Sequence, residues 1–450
     1  MNLFDRSELF RKYDVYADDY TDYPHKSHWS KSFGDEGYRN ALKQFFLRNT
    51  DPTLLYVHIP FCMKPCYYCI CHKRVVHSYE PVKEYLYKHL NKELLLLRDF
   101  FENNTMPNFK EVYLGGGSPT LLREREFDNL CYLLSMFLST SQKLDRFCVE
   151  IDPRTCDPDK LFYYSKVGVN NLSIGIQDID PRVQKAVNRV QPLKLVERLM
   201  TPELRKHFFS INFDFLVGLP KQTEKSMTKT MEKALALSPD RVSFCFFHYT
   251  ADAFHPHMKA CEPWLPGFYE RKKIFAAGLK VLEDKGYIRT GFEHFAKPDD
   301  IVADGVKNRK ATYTSLGAIN HATNVIAVGE SGHSILGDEY LVQNFYEPEL
   351  YNAALEEGEF PVYRGKFLTN DDVIRRRIIR ELRTYFKTGT GPLFRAYFHE
   401  EIKTLKGFAE DGLVDWDDDL LWITEDGKFF TDLIISVFDK YLTTTRTKQL

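Results

Sequence analysis

The chain has 450 residues, 43% of them hydrophobic, which is too long for one small domain and apolar enough to bury a large core. Its 61 basic and 63 acidic residues leave a formal net charge of −2, which argues against a surface built to bind nucleic acid. No stretch approaches ~18 uncharged apolar residues, and the opening MNLFDRSELFRKYDVYADDY has no apolar leader core, so no membrane span or signal peptide is expected and a cytoplasmic location is.

Residues 1–50 form a polar, tyrosine-rich N-terminal extension with helical patterns near 5–13 and 35–48. A strand–helix alternation follows over 51–290. LLYVHI (54–59) predicts a strand and 80–103 a long helix; KEVYLG (110–115) precedes a helix near 122–139. FCVEI (147–151) leads to a helix near 157–166, and NLSIGI (171–176) to helices near 180–188 and 193–207. SINFDFLVG (210–218) precedes a helix at 223–237, and RVSFCFFHY (241–249) is a further strand. These runs are continuously apolar, as expected of parallel strands covered on both faces. Six such repeats predict an α/β fold, a parallel sheet curled into an open or partial barrel.

A helix near 268–286 ends the alternation, and 291–369, rich in Gly and polar residues, reads as a connecting segment on the substrate side. Residues 370–450 read as a separate, mainly helical unit: helices at 370–386, 393–408 and 427–441 around a small hairpin in DGLVDWDDDLLWITEDG. Helices with a hairpin also suit a winged-helix DNA binder. However, 408–427 is rich in Asp and Glu, which would repel phosphate, so the unit is expected to cover substrate instead.

The chemistry concentrates in YVHIPFCMKPCYYCICHK (56–73), where four of the nine cysteines fall at 62, 66, 69 and 71. In a reducing compartment such a cluster binds metal or does redox work more readily than it forms disulfides. Cys62, Cys66 and Cys69 follow the first strand and can converge on one face of an iron–sulfur cube. Three thiolates leave one iron open to an outside ligand, such as the amino and carboxylate groups of S-adenosylmethionine (SAM). A zinc knuckle is the plainer alternative, with Cys71 or His72 as fourth ligand.

Other polar residues fall where strands end, the usual place for a site in parallel α/β folds. GGGSPT (115–120) would let backbone pass close to a ligand with N–H groups free to bond it, or be only a turn. Glu150 and Asp152 could hold a ribose or an ammonium, or cap the next helix. Gln177 and Asp178 end the fourth strand, with Arg189 beyond them. Asp214 sits inside an apolar strand, where an unpaired charge is costly, so a ligand or a structural ion pair is expected for it.

With these motifs the sequence resembles the oxygen-independent coproporphyrinogen III oxidase (HemN-like) family of radical SAM enzymes, from about residue 10 to the C-terminus. The shared segments include KYDVYADDYTDYP, YVHIPFC-x3-C-x2-C-x-C, GGGSPT, EIDPR, LSIGIQD, FDFLVGLPKQT and HFAKPDD. The resemblance implies that Cys62, Cys66 and Cys69 hold a [4Fe–4S] cluster while Cys71 does not ligate it. It also implies that Tyr56, Gly116, Gly117, Glu150, Gln177, Arg189 and Asp214 contact SAM, with Tyr68, Cys71 and Ser118 close by. The implied fold is a partial parallel (β/α)6 barrel whose open side is covered by the C-terminal unit. In the family an adenosyl radical removes hydrogen from a tetrapyrrole propionate, and loss of CO2 and an electron leaves a vinyl group, twice over. An electron donor such as flavodoxin or ferredoxin and a monomeric state are expected.

The chain departs from the family on the substrate side. Asp19 stands where an arginine is usual, Lys310–Ala311–Thr312–Tyr313–Thr314 lacks the glutamine of NFQGYTT, and GESGHS (329–334) puts Glu330 and His333 near the expected substrate. Phe247, His248 and Tyr249 also replace a pattern with a smaller residue. These changes keep open a related methyltransferase or cyclopropanase using a second SAM, or action on another tetrapyrrole. A haem chaperone is the non-catalytic alternative, and Cys71 counts against it.

Overall fold

The strand–helix alternation folds into one 12-stranded sheet. The computed structural model describes residues 3–15, 17, 20–138, 144–249, 256–314, 317–320 and 322–442, with backbone alone at 312–314 and 317–320. The six predicted strands are Thr53–Ile59 (β1), Phe109–Gly116 (β2), Arg146–Ile151 (β3), Asn171–Gln177 (β4), Ser210–Val217 (β5) and Arg241–Phe246 (β6). They lie side by side in chain order and all parallel.

Both edges of this run are extended. Ile288–Arg289 (β7) and His294–Ala296 (β8) continue it antiparallel beyond β6. Asn324–Val328 (β9) pairs parallel with β1, and His333–Leu336 (β10), Tyr340–Asn344 (β11) and Val362–Phe367 (β12) follow antiparallel. Residues 291–369, read as a connecting segment, thus contain five strands of the main sheet, β8 to β12, and a separate antiparallel hairpin of Ala311–Thr314 and Gly317–Asn320. Their runs are short, and only NVIAV of β9 is buried throughout, so they stand out little among the glycines and polar residues around them.

The inner face of the sheet is polar, which the expectation of apolar runs on both faces did not anticipate. Along β5, Ile211, Phe213, Phe215 and Val217 are buried under helices, while Asn212 and Asp214 alternate with them and line a cavity. Successive side chains of a strand point to opposite faces, so β3, β4 and β6 contribute Cys148, Ser173 and Ser243 to that same interior. Asn212 Nδ2 donates to Ser173 Oγ and to Ser243 Oγ at 3.0 Å each, tying β4, β5 and β6 together from inside.

Most helices fall where expected, with informative exceptions. The helix over 80–103 widens to a π-helical stretch at Tyr85–Leu90 between Glu80–Glu84 and Asn91–Glu102. The helix predicted at 193–207 is two short ones, Lys194–Glu197 and Pro202–Arg205, because Thr201 caps a new start at Pro202. In the C-terminal unit Asn370–Tyr385 begins with a capping box between Thr369 and Asp372. The hairpin of Val414–Trp416 and Leu420–Ile423 gains a third strand, Lys387–Gly389. The helix expected at 427–441 is instead Gly427–Phe430, Thr431–Ile435 and Ser436–Phe438, in turn 3-10, α and 3-10. Leu433, Ile434, Ile435 and Phe438 in it are all fully buried, so neighbours on every side shape its path. Among the described residues no helix is long and apolar enough to cross a membrane.

Candidate active site

One cavity of about 390 Å³ opens at the C-terminal ends of β2 to β6. Cys62, Cys66, Tyr68, Cys69, Cys71, Gly116, Gly117, Ser118, Glu150, Gln177, Arg189 and Asp214 all line it. Residues far apart in sequence meet there because each ends a neighbouring parallel strand or follows one. Tyr56 is the predicted residue left behind the wall: it is buried, with its hydroxyl 3.0 Å from His58 Nδ1. Burial keeps His58 neutral, at a pKa of about 4.

The cysteine loop leaves β1 and is fastened at both ends. Phe61–Cys62 pairs with Arg74–Val75, closing the loop on itself. Asn188 Nδ2 donates to the Pro65 carbonyl at 2.8 Å, and the Tyr67 N–H to Val187 O at 3.0 Å. Arg154 Nη2 lies 3.5 Å and Arg189 Nη1 3.6 Å from Cys66 Sγ, two cations suited to a thiolate. A hydrogen bond from Cys71 is the main influence holding the Cys69 thiol down at about 6, whereas burial pushes Cys62 up to about 11.

The donor set fits an iron–sulfur cluster better than zinc. Among the described residues no three His, Cys, Asp or Glu side chains gather closely enough for a single metal ion. Each thiolate of a cube binds its own iron, so cluster ligands stand further apart than the ligands of one zinc ion. His72, the suggested fourth zinc ligand, has its Nε2 2.9 Å from Glu330 Oε2.

The glycines serve the fold more than a ligand's backbone contacts. A methyl group at Gly117 would come within 2.6 Å of the Phe61 carbonyl oxygen, so only glycine lets β2 pass beside the strand entering the cysteine loop. The Gly117 N–H donates to Ile59 O and the Ser118 N–H to Phe61 O, both at 2.8 Å. The Gly116 N–H donates to Glu150 Oε2 at 3.1 Å. The N–H groups expected to be free are therefore engaged within the protein.

Acids and bases are unevenly paired around the cavity. Asp152 holds Arg154 through bonds of 2.9 and 2.6 Å and approaches Arg189 at 3.6 Å. Burial alone would raise its carboxyl, but the two guanidiniums keep it at about 2. Glu150 accepts only neutral donors, Tyr113 Oη at 3.1 Å and the Gly116 N–H. Burial, then the nearby Asp214, lifts its pKa to about 8. Asp214 also accepts neutral donors, Ser173 Oγ and Asn212 Nδ2 at 2.7 Å each, and burial raises its pKa. Glu150 and Asp214 together make a pair of carboxyls suited to a cationic ligand. Gln177 adopts a left-handed backbone, φ 63°, at an irregularity between β4 and β5, a costly conformation at the cavity wall. Asp178 points away into the core, held by Gln222 Nε2 and Thr230 Oγ1.

Residues 56–234 match the Radical SAM superfamily. An oxygen-independent coproporphyrinogen III oxidase of Escherichia coli (strain K12) is 33% identical over 446 residues, covering 96% of this chain and 95% of the relative. The chain belongs to the oxygen-independent coproporphyrinogen III oxidase family of radical SAM enzymes. An enzyme of the same name from Pseudomonas aeruginosa is 31% identical, covering 97% and 96%. The solved structure of the E. coli enzyme, described as a radical SAM enzyme, superposes with a TM-score of 0.86 at 32% identity, covering 95% of this chain and 100% of that one. The cofactors of the chain as a radical SAM oxidoreductase are a [4Fe–4S] cluster and SAM.

Two substrate-side expectations are corrected. Glu330 is fully buried, and its second oxygen accepts from Arg74 Nη1 at 2.9 Å, so it braces the cysteine loop. His333 packs edge-on to Trp29, 3.5 Å from Asp22, and lines neither of the two interior cavities. His248 does line the site. Asp19 lies outside the described residues, as do the side chains of Thr312, Tyr313 and Thr314. Sequence reasoning missed Glu293 and Arg383, which also line the cavity. Arg383 Nη2 donates to Glu293 Oε2 at 2.8 Å, carrying a cation from the C-terminal unit to the barrel mouth.

Proposed function

We propose that the chain catalyses the oxidative decarboxylation of two propionates of coproporphyrinogen III to vinyl groups, in anaerobic haem biosynthesis. The observation that carries this reading is the match along nearly the whole length of both proteins, C-terminal unit included, to relatives that bear that activity in their names. When bound, the cluster and SAM would supply a 5′-deoxyadenosyl radical able to take one hydrogen atom from the propionate, after which CO2 leaves and one electron passes to an external one-electron acceptor.

The chain's own residues prepare this chemistry. Cys62, Cys66 and Cys69 hold the cluster, and Arg154 and Arg189 stabilise the charge on Cys66. Tyr68, Cys71, Gly116, Gly117, Ser118, Gln177 and Arg189 shape the SAM side of the cavity. Glu150 and Asp214 would face the cationic part of SAM, and Glu150, lifted to about 8, would give up its proton as SAM binds. Tyr56 acts from behind, fixing His58 and through it the His72 carbonyl. The C-terminal unit closes the mouth with Arg383. The reaction takes in one electron for each SAM, from a flavodoxin or ferredoxin type of carrier, and the chain works as a monomer in the cytoplasm.

The test uses anaerobically reconstituted protein with dithionite, SAM and coproporphyrinogen III, with mass analysis of all products. Loss of two CO2 together with 5′-deoxyadenosine is expected. An unchanged or methylated tetrapyrrole alongside 5′-deoxyadenosine would overturn the substrate assignment and leave the radical chemistry standing.

A further inference from the structure

The three cluster thiols have unequal neighbours. Cys62 Sγ lies 3.8 Å from Ser118 Oγ, and the Cys69 sulfur accepts from the Cys71 thiol, both neutral groups. Cys66 Sγ instead has Arg154 Nη2 at 3.5 Å and Arg189 Nη1 at 3.6 Å, and the Tyr68 hydroxyl also donates to it. Charge-assisted hydrogen bonds are about twice as strong as neutral ones, so Cys66 is the sulfur through which the protein draws electron density off a cluster most strongly.

Arg154 stands on the turn that follows β3, and its guanidinium is aimed by a neighbour. The Asp152 carboxylate accepts from its Nε at 2.9 Å and from its Nη2 at 2.6 Å, which turns the fork toward Cys66. The turn itself is closed by other groups. The Thr155 N–H donates to Asp152 O at 3.0 Å, and Arg198 Nη2 donates to Cys156 O at 2.7 Å. The Arg154 side chain is only 20% exposed, and burying a guanidinium is costly where the backbone does not need it. What this placement provides is a cation fixed beside one sulfur.

We propose that Arg154, aimed by Asp152, is a positioning residue that sets the reduction potential of the cluster through the Cys66 sulfur. The proposal rests on the reading that Cys62, Cys66 and Cys69 hold the cluster, and it adds which side chain tunes it. A nearby positive charge and an N–H bonded to sulfur both favour the cluster that carries one more electron. Arg154 therefore raises the potential, and the Asp152 carboxylate beside it tempers that rise.

The test is a redox titration of the full, anaerobically reconstituted chain, followed by the EPR signal of the reduced cluster, with iron content and SAM affinity measured beside it. Arg154→Gln is expected to lower the ratio of reduced to oxidised cluster about tenfold at a fixed potential, a midpoint about 59 mV lower for one electron. Arg154→Lys keeps the charge without the fork and should recover part of that shift. Asp152→Asn removes the counter-charge and should move the midpoint the other way. Iron content in these variants, and SAM affinity in Arg154→Gln, should stay as in the wild type. If Arg154→Gln takes up no iron, an upward shift in Asp152→Asn supports the proposal and an unmoved midpoint overturns it. An unmoved midpoint in iron-loaded Arg154→Gln would overturn it, as would shifts of the same sign in the Gln and Asn variants or iron lost from both. Weakened SAM binding with an unmoved midpoint would make Arg154 a SAM contact instead. Wild-type protein that assembles no [4Fe–4S] cluster would refute the radical SAM reading itself, and the tuning role with it.

Discussion

Replacing Glu330 with alanine tests whether this residue braces the cysteine loop or meets substrate. Its carboxylate is fully buried and accepts from His72 Nε2 and Arg74 Nη1, each at 2.9 Å. A hydrogen bond to a charged group contributes about 1.5–3 kcal/mol, so two together come to about 3–6 kcal/mol. The Arg74 side chain is 33% exposed and can rehydrate once freed, which reduces the net loss to about 2–4 kcal/mol. The loss falls locally, on the loop closed by the Phe61–Cys62 and Arg74–Val75 pairing. Opening of that loop should become about 30- to 1,000-fold more frequent. Hydrogen exchange at the Val76 amide, which donates to Cys62 O at 3.0 Å, reads this directly in protein without cluster. Iron bound per chain after reconstitution should fall with it. If exchange and iron content match the wild type while KM for the tetrapyrrole rises, Glu330 is a substrate contact and the reasoning fails.

Three further outcomes follow from the site. Cys62→Ser should abolish SAM cleavage, and unchanged 5′-deoxyadenosine formation in that variant would remove Cys62 from the cluster. Burial lifts Glu150 to about 8, and a cationic ligand prefers the ionised carboxylate, so SAM affinity should climb with pH up to about 8 and then level off. Glu150→Gln should flatten that profile, and a pH-independent wild-type affinity would contradict the assignment. Glu93 carries a stability prediction. It is buried and held at about 7, above its ordinary 4.5, by burial that outweighs its bonds from Tyr351, Gly329 and Asn344. A carboxyl raised on folding contributes stability fully present below about 4.5 and lost as pH rises through about 7. Glu93→Gln removes that dependence, so the wild type should lose about 2–3 kcal/mol relative to the variant between pH 5 and pH 8 in urea unfolding. A gap that does not change with pH would count against it.

What the sequence made legible was what strands and their ends dictate locally. A strand displays its period and its apolar face within a few residues, so β1 to β6 and the polar groups at their ends could be read in order. The parallel arrangement then puts those ends together, which is why twelve of the thirteen predicted site residues share one wall. Tyr56 escaped because a residue inside a fully buried strand gives no sign of which face it takes. The strands β9 to β12 are sheet because β1 offers an edge, a fact about the assembled sheet that their own composition does not contain. Position along the chain also misled: Glu330 and His333 adjoin in sequence a stretch that suggested substrate, yet one turns under the cysteine loop and the other toward Trp29. Arg383 is the reverse case. On its helix it looks like any arginine in IIRELRTY, and only the packing of that helix brings it to Glu293. A buried guanidinium kept beside a cavity is costly unless its position is used. The Arg383–Glu293 pair therefore couples placement of the C-terminal unit to the shape of the site: losing either partner should disturb substrate binding and the seating of that unit together, whereas a change at Glu150 should leave the unit seated.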